Sequence, residues 1–358
     1  MKILYDHQIF SYQKYGGVSK YFCELLAHIP REEWDTTVVF SNNEYINEKK
    51  LIKVRHIFPN KWFRGQGRLM NELNKPYSAW KIRKGEFDVF HQTHFETYCL
   101  PYLKDKPMVT TFHDMNFDTY NKNEYLVKIQ KESVARANKI IAVSHNTKKD
   151  LVEMWNINPQ KIEVIHHGVD APLSDALIGN RIVEQPYILY VGRREGFKNF
   201  SRLVTAFSIL KKNNDTIKLV CTSEPLTKEE VDFLKTNNLY DDVIHISANE
   251  KALANLYKHA ELFVYPSIYE GFGMPILEAM SYGCATAISN TSCFPEVAGE
   301  AAAYFDPHNE EDMAATILKL LEDNELKKSY ICKGYERIKL FTWENTAKKH
   351  IDVYKSLI

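Results

Sequence analysis

Two series of short apolar runs, each interleaved with amphipathic stretches, restrict this chain to a small set of folds. The first series occupies residues 2–5, 37–40, 87–90, 108–112, 140–143 and 162–165. The second occupies residues 187–191, 217–220, 243–246, 262–265 and 285–288. Short runs rich in Val, Ile, Phe and Tyr suit strands buried on both faces of a parallel sheet. Helical patterns lie between them. Val18, Tyr21, Phe22, Leu25, Leu26 and Ile29 form an i, i+3, i+4, i+7, i+8, i+11 stripe, and a second pattern begins near Asn199 with Leu203, Phe207 and Leu210. This alternation predicts an α/β chain with mostly parallel sheets covered by helices on both sides.

Residues 171–186 interrupt the pattern with Pro172, Ser174, Gly179, Asn180 and Pro186, and read as an interdomain linker. The 358 residues then divide into two α/β halves, 1–170 and 187–342, in keeping with domains of about 100–200 residues. Two such halves imply a cleft, and open α/β sheets bind ligands beyond the carboxyl ends of their strands. Chemistry is therefore expected just after each apolar run.

Composition removes several classes. The 46 Lys+Arg balance 46 Asp+Glu. That argues against a nucleic-acid binder working through bulk charge, and no nucleic-acid partner is expected. No run approaches the roughly 20 apolar residues that span a bilayer, and the first residues lack a secretory pattern. Six cysteines without a CxxC fit free thiols in a reducing, cytosolic location rather than a zinc knuckle or dithiol.

In the first half, Gly16 and Gly17 stand at the entrance of the striped helix. Bare backbone there allows close approach of a ligand, and a helix N-terminus favours an anion. A flexible turn fits the same residues. The 108–112 run ends in His113-Asp114, where a histidine can donate to a sugar hydroxyl or exchange a proton near neutral pH. A hydrogen-bonded loop histidine is the alternative. His91 and His94 have HxxH spacing but follow a strand-like run, so cleft lining is expected rather than metal.

In the second half, residues 187–191 run into Gly192-Arg193-Arg194-Glu195-Gly196-Phe197-Lys198-Asn199. Arginine forks onto phosphate oxygens and lysine supplies a point charge. GxxxxGK[ST] is absent, so this is not a P-loop, and a solvated basic turn remains open. Further on comes Glu270-Gly271-Phe272-Gly273-Met274-Pro275-Ile276-Leu277-Glu278. Pro275 suits a first helical turn, and Gly283 suits the end of that helix. Gly271 and Gly273 leave backbone bare ahead of the helix, where N–H groups can face a diphosphate. A carboxylate can accept two hydrogen bonds from a vicinal diol. Either glutamate alone is an ordinary charge. The combination is far more specific.

The segment from Glu270 to Glu278 resembles the E-x7-E signature of the retaining glycosyltransferases of family 4. Gly192 to Asn199 resembles that family's diphosphate-binding turn, and Gly16-Gly17, 112–114, 142–144 and 167–170 fall where it has recurring segments. The resemblance implies a GT-B fold: two Rossmann-like domains facing across a cleft, acceptor in the first and nucleotide-sugar in the second. The last helix, 343–358, would pack back on the first domain. It implies that Glu278 holds the ribose, and that Glu270 holds the donor sugar with the backbone around Phe272, Gly273, Met274, Ile276 and Leu277. Lys198 with Arg193, Arg194 or both, beside Gly192, would neutralise the departing diphosphate. His113 would touch the sugar near the reacting carbon, and Gly16 and Gly17 would approach the phosphates. Positive groups preorganised around a leaving diphosphate stabilise its departure. Asp-x-Asp occurs nowhere in the chain, so neither metal nor other cofactor is expected.

The implied activity is transfer of a hexose, from GDP-mannose first or a UDP-hexose second, to a glycan or lipid-linked acceptor in surface polysaccharide assembly. An epimerase on the same fold and a silent nucleotide-sugar-binding protein are the alternatives. A dinucleotide oxidoreductase would need a GxGxxG that is missing. Residues 61–84 carry Lys61, Arg64, Arg68, Lys75, Lys81, Arg83 and Lys84 against Glu72, interleaved with Trp62, Phe63, Tyr77 and Trp80. That composition suits peripheral docking on an anionic inner-membrane surface, or equally a solvated face with buried aromatics.

Overall fold

The computed structural model describes residues 1–61, 63–116, 120, 123–194, 196–212 and 214–358, so Trp62 and Glu195 lie outside the described residues. The chain forms two compact units, Met1–Gly168 with Trp343–Ile358, and Val169–Thr342.

The first unit holds a six-stranded sheet of β1 (Ile3–Tyr5), β2 (Trp34–Thr36), β3 (Val89–Gln92), β4 (Met108–Phe112), β5 (Lys139–Ala142) and β6 (Ile162–Val164), in the order β2-β1-β3-β4-β5-β6. Its pairings are parallel, with Leu4 opposite Asp35 on one side and Phe90 on the other. Ile3, Tyr5, Val89, Phe90, Val109 and Ile140 have no exposed surface, as strands covered on both faces require. One cover is the Gly17–His28 helix, which buries Tyr21, Phe22, Leu25 and Leu26. Each large apolar side chain so buried stabilises by about 1.5–3 kcal/mol.

The second unit repeats the plan with β7 (Tyr187–Tyr190), β8 (Lys218–Cys221), β9 (Val243–His245), β10 (Leu262–Tyr265), β11 (Thr286–Ser289) and β12 (Ala303–Phe305), ordered β12-β11-β10-β7-β8-β9. The Phe200–Lys211 helix packs Leu203, Val204, Phe207 and Leu210 into its core.

Strand order locates the functional ends. In the first unit the chain runs from β1 to β2 on one side, then crosses to β3 on the other. In the second it runs β7, β8, β9, then crosses back to β10 beside β7. The loops after β1 and β3, and after β7 and β10, therefore diverge at reversal points, where open sheets leave a crevice for ligands.

Three expectations need correction. Residues 37–40 are not a strand, because β1 pairs with Trp34–Thr36 one step earlier. The Asn74 side-chain oxygen instead takes the N–H groups of Val39 and Phe40, both at 2.9 Å. Residues 171–186 are not a free linker. Asn255 accepts from Ile182 N at 3.1 Å and donates to Asn180 O at 2.7 Å, and Ile178 and Val183 are buried, so the segment belongs to the second unit. The strand β12 has no counterpart among the predicted runs, since Ala303-Tyr304-Phe305 is short and half-buried.

The Trp343–Lys355 helix packs within the first unit. Tyr354 Oη lies 2.9 Å from Tyr5 Oη and 2.5 Å from His91 Nδ1, and His350 Nε2 lies 2.6 Å from Tyr21 Oη. A Cβ at Gly168 would run into the backbone of Trp343, so this entry to the helix needs a glycine. No described helix is long and apolar enough to cross a membrane.

Candidate functional site

At the reversal point of the second unit, the loops after β7 and β10 are stitched together. Ile268 N–H donates to Phe197 O at 2.8 Å. Asn199, at φ 62°, donates through Nδ2 to Pro266 O and Pro307 O at 3.0 and 2.8 Å. Tyr190, the last residue of β7, donates its hydroxyl to Arg193 O and lies 3.4 Å from Lys198 O.

These contacts bring Lys198 to Glu270. Lys198 Nζ sits 2.5 Å from Glu270 Oε1, with both side chains largely but not wholly buried. Tyr265, closing β10, donates to the same oxygen at 2.7 Å. The backbone of Glu270 is fixed from the loop after β11. Its N–H donates to Ser292 Oγ at 3.1 Å, and its carbonyl accepts from Ser292 Oγ at 2.7 Å and from Cys293 Sγ at 3.2 Å. The carboxylate is thus fixed at the sheet reversal, with Oε1 shared by Lys198 and Tyr265.

The helix Met274–Ser281 starts immediately beyond, with Gly273 as N-cap at φ 89° and Pro275 in the first turn. Glycine suits this left-handed position, and a Cβ there would also press on Ile276 Cδ1 and Phe294 Cε1 at 3.2 Å. Gly192, at φ 132°, leaves open space beside the first loop. Phe272, Ile276 and Leu277 are buried, with Phe272 stacked edge-on against Phe341, so their part in any ligand contact is through backbone. Glu278 accepts from Tyr257 Oη at 3.1 Å. Burial, and then Glu278, holds the Tyr257 hydroxyl well above its ordinary pKa, so it stays a donor.

The two arginines separate cleanly. Arg194 is locked into the fold. Its Nε and Nη2 reach Glu230 Oε1 and Oε2 at 2.8 and 3.2 Å, and its remaining donors take Thr222 O, Glu224 O and Pro225 O at 2.7–2.9 Å. Only 5% of its side chain is exposed. These bonds commit most of its guanidinium donors to supporting the loop, which weighs against its assignment beside Lys198. Arg193 is exposed on the same loop.

In the first unit, Gly16 is the N-cap of the Gly17–His28 helix. Gln13 Oε1 accepts from Ser19 N at 3.0 Å in that first turn, and a Cβ on Gly16 would strike the Gln13 side chain. Gly17 is exposed with nothing around its would-be Cβ. His113 packs edge-on to Tyr21 at 4.9 Å, with its Nε2 buried. Burial, with His94 and His350 nearby, pushes its pKa down to about 3. Burial therefore favours its neutral imidazole form. His91 is no cleft residue: it is fully buried, and its nitrogens meet Tyr354 Oη and Thr111 Oγ1.

Sequence reasoning missed a polar cluster at the first unit's reversal point. Asp6 accepts from Thr93 N at 3.0 Å, from Thr93 Oγ1, and from Gln8 Nε2 at 2.6 Å. Burial pushes its pKa up to about 7 despite those bonds. Nearby, Glu96 accepts from Tyr12 Oη, from Asn71 Nδ2 at 3.1 Å and from Lys75 Nζ at 2.8 Å. Burial raises its pKa, but these donors prevail and hold it below the usual carboxylate range. Tyr265, Ser292 and Tyr257 were also missed. Tyr265 alone left a signal, a tyrosine closing the strand before the glutamate loop.

Comparison with known proteins gives a consistent picture. The family model described as "Glycosyl transferases group 1" matches residues 178–337, and "Glycosyltransferase Family 4" matches residues 15–172. The chain is 30% identical over 303 residues to O-antigen chain mannosyltransferase B of Escherichia coli, covering 80% of this chain and 78% of that one. It is 28% identical over 253 residues to O-antigen chain mannosyltransferase RfbU of Salmonella typhimurium, covering 67% and 68%. Among solved structures, Anabaena Alr3699/HepE in complex with UDP and glucose superposes with a TM-score of 0.77 at 16% identity, over 99% of this chain and 100% of that one. Sucrose-phosphate synthase from Thermosynechococcus elongatus gives 0.75 at 19% identity, over 99% and 98%.

Proposed function

Because the chain belongs to glycosyltransferase family 4 and has the GT-B fold, we propose that it is a retaining, metal-independent hexosyltransferase that uses a nucleoside-diphosphate sugar in surface polysaccharide assembly. The observation that carries the reading is the Lys198–Glu270 pair, fixed by Tyr265 at a sheet reversal just ahead of a glycine-capped helix.

Each residue has a physical task. Glu270 accepts hydrogen bonds from hydroxyls of the donor sugar. Glu278, four residues into its helix, takes the ribose diol. As the acceptor oxygen bonds to C1, the C1–O bond to the diphosphate breaks and its electron pair leaves with the diphosphate, whose phosphate oxygens gain negative charge and take up the acceptor hydroxyl's proton. Lys198 and Arg193 supply the positive charge that meets it, aided by N–H groups at the start of Met274–Ser281. With cations and helix dipole in that role, the reaction needs no bridging metal. His113, neutral at working pH, serves a sugar hydroxyl as a hydrogen-bonding group. The acceptor, a glycan or lipid-linked sugar, meets the first unit, where the Glu96 cluster offers carboxylate, amide and ammonium groups to hydroxyls.

GDP-mannose is the first donor to try, because the relatives named above are mannosyltransferases, and a UDP-hexose is the second. A panel of nucleotide-sugars, each added while the protein is melted, identifies the donor, since a ligand bound only by the folded state raises the midpoint. Proton NMR of the product then reads the anomeric configuration. An inverted anomer, or no stabilising nucleotide-sugar, refutes the proposal.

A further inference from the structure

The helix Gln66–Lys84 is amphipathic the wrong way round for a helix that faces only water. Its inner face buries Gln66, Asn71, Asn74 and Ser78 beside Met70, Ala79 and Ile82. Its outer face exposes Leu69 (40%), Leu73 (44%), Tyr77 (37%) and Trp80 (50%). At about 100° per residue these four, with Pro76, fall within roughly 100° of the circumference, a single stripe about 16 Å long. Phe58 and Phe63, rings 6.1 Å apart and both exposed, precede the helix at its N-terminal end. The loop that carries Phe58 is tied to the helix by Gln66 Nε2, which donates to Ile57 O, Phe58 O and Lys61 O. A surface helix ordinarily puts its apolar stripe inward. Here an apolar stripe lies outside as well, while the inner face mixes amides and Ser78 with Met70, Ala79 and Ile82.

Charge says what covers the stripe. Lys61, Arg64 and Arg68 stand exposed at one end, and Arg83 and Lys84 at the other. The Lys84 ammonium lies 4.8 Å from the Trp80 ring centre. The acids nearby are already engaged, Glu72 with Lys75 at 2.6 Å and Glu86 with Lys84 at 3.4 Å. Packing this helix against its own copy, parallel or antiparallel, would set basic end against basic end. A sheet of anionic headgroups over an apolar layer meets both features, and Trp and Tyr prefer that boundary.

We infer that the outer face of Gln66–Lys84, with Phe58 and Phe63, docks the protein on an anionic lipid bilayer. The stripe enters the headgroup boundary and the flanking cations meet lipid phosphates. The inner face of the same helix carries Asn71 and Lys75 to Glu96, so one element joins the lipid surface to the first unit's polar cluster. Docking stands independently of the donor chemistry. Its use, presenting a lipid-linked acceptor, rests on the function proposed above.

The test is sedimentation of the full chain with vesicles of phosphatidylcholine alone and with about 30 mol% phosphatidylglycerol. Partitioning to the anionic vesicles is expected to be at least about tenfold stronger and to weaken with salt. The pair Arg83→Glu and Lys84→Glu should lower it about tenfold or more, as should the pair Leu73→Ser and Trp80→Ser. Both pairs should keep the wild-type melting midpoint and transfer to a water-soluble acceptor. Equal partitioning to neutral vesicles, no partitioning, or variants that bind like wild type would overturn the inference. So would a dimer that Leu73→Ser and Trp80→Ser dissociate without any vesicle binding. Vesicle binding that passes these tests while no nucleotide-sugar is used would leave docking standing and defeat the transferase reading.

Discussion

Replacing Arg194 and Arg193 in turn should give opposite phenotypes. Arg194 holds Glu230 through two hydrogen bonds and three backbone carbonyls through the rest of its guanidinium. Arg194→Ala strands a partly buried carboxylate and three carbonyls at once. Breaking a buried pair by removing one partner costs about 3–5 kcal/mol. Glu230 keeps 22% of its side chain in water, so the lower end applies, about 3 kcal/mol. For a unit of this size each kcal/mol moves the midpoint by about 2–4 °C, giving a drop of about 6–12 °C. Arg193→Ala removes an exposed side chain and should move the midpoint by less than about 1 °C. Its effect should fall on nucleotide binding, roughly tenfold for one charge-assisted contact to phosphate. Circular dichroism melts measure the first quantity and calorimetric titration with the nucleoside diphosphate the second. An Arg194→Ala protein with wild-type stability and lost nucleotide affinity would refute the reasoning and return the diphosphate to Arg194.

Lys198→Ala and Glu270→Ala should each lower transfer about a hundredfold or more, read by release of nucleoside diphosphate, and, because each strands its partner in a largely buried pair, should also lower the melting midpoint by several degrees while the protein stays folded. Gly273→Ala places a side chain at φ 89° against Ile276 and Phe294, and should cost about 1–2 kcal/mol with weaker donor binding, measured by melting with and without nucleotide. Acid should destabilise the first unit. Burial lowers His7 and His113 to about 3 and His350 to about 4, so the unfolded chain binds more protons below pH 6.5 and the stability they confer is lost as pH falls. Between pH 7 and 5 each contributes a loss of about 2 kcal/mol. Asp6, raised to about 7, works oppositely: its contribution is full below about 3.8 and is lost as pH rises through 7, which offsets about one histidine. His91, His94 and His167 are lowered by burial too and act in the same direction, so a loss of at least about 4 kcal/mol should appear in urea titrations at the two pH values, and equal stability would contradict it.

Local patterns in the chain carried the second half well. The runs at 187–191 and 262–265 became β7 and β10, and the loops predicted to bear chemistry are the ones that bring Lys198 to Glu270. What the pattern could not carry is non-local. Periodicity does not encode strand order, so the reversal between β7 and β10 that makes those two loops neighbours appears only in the fold. Arg193 and Arg194 are equivalent as letters. They differ because Glu230, on a helix after β8, reaches back to one of them. Residues 37–40 had strand composition, yet an asparagine from a distant helix took their N–H groups. The Gln66–Lys84 segment showed its charge in sequence but not its orientation, since the same Leu, Tyr and Trp residues would have suited a buried face.

The most direct test of the central claim is calorimetric titration of GDP-mannose, then UDP-hexoses, into wild-type protein and Lys198→Ala. The account predicts saturable one-site binding of a nucleotide-sugar by wild type, weakened about tenfold or more in the variant by loss of a charge-assisted contact to phosphate. Identical binding by the two proteins, or no binding of any nucleotide-sugar by a folded wild type, would contradict it.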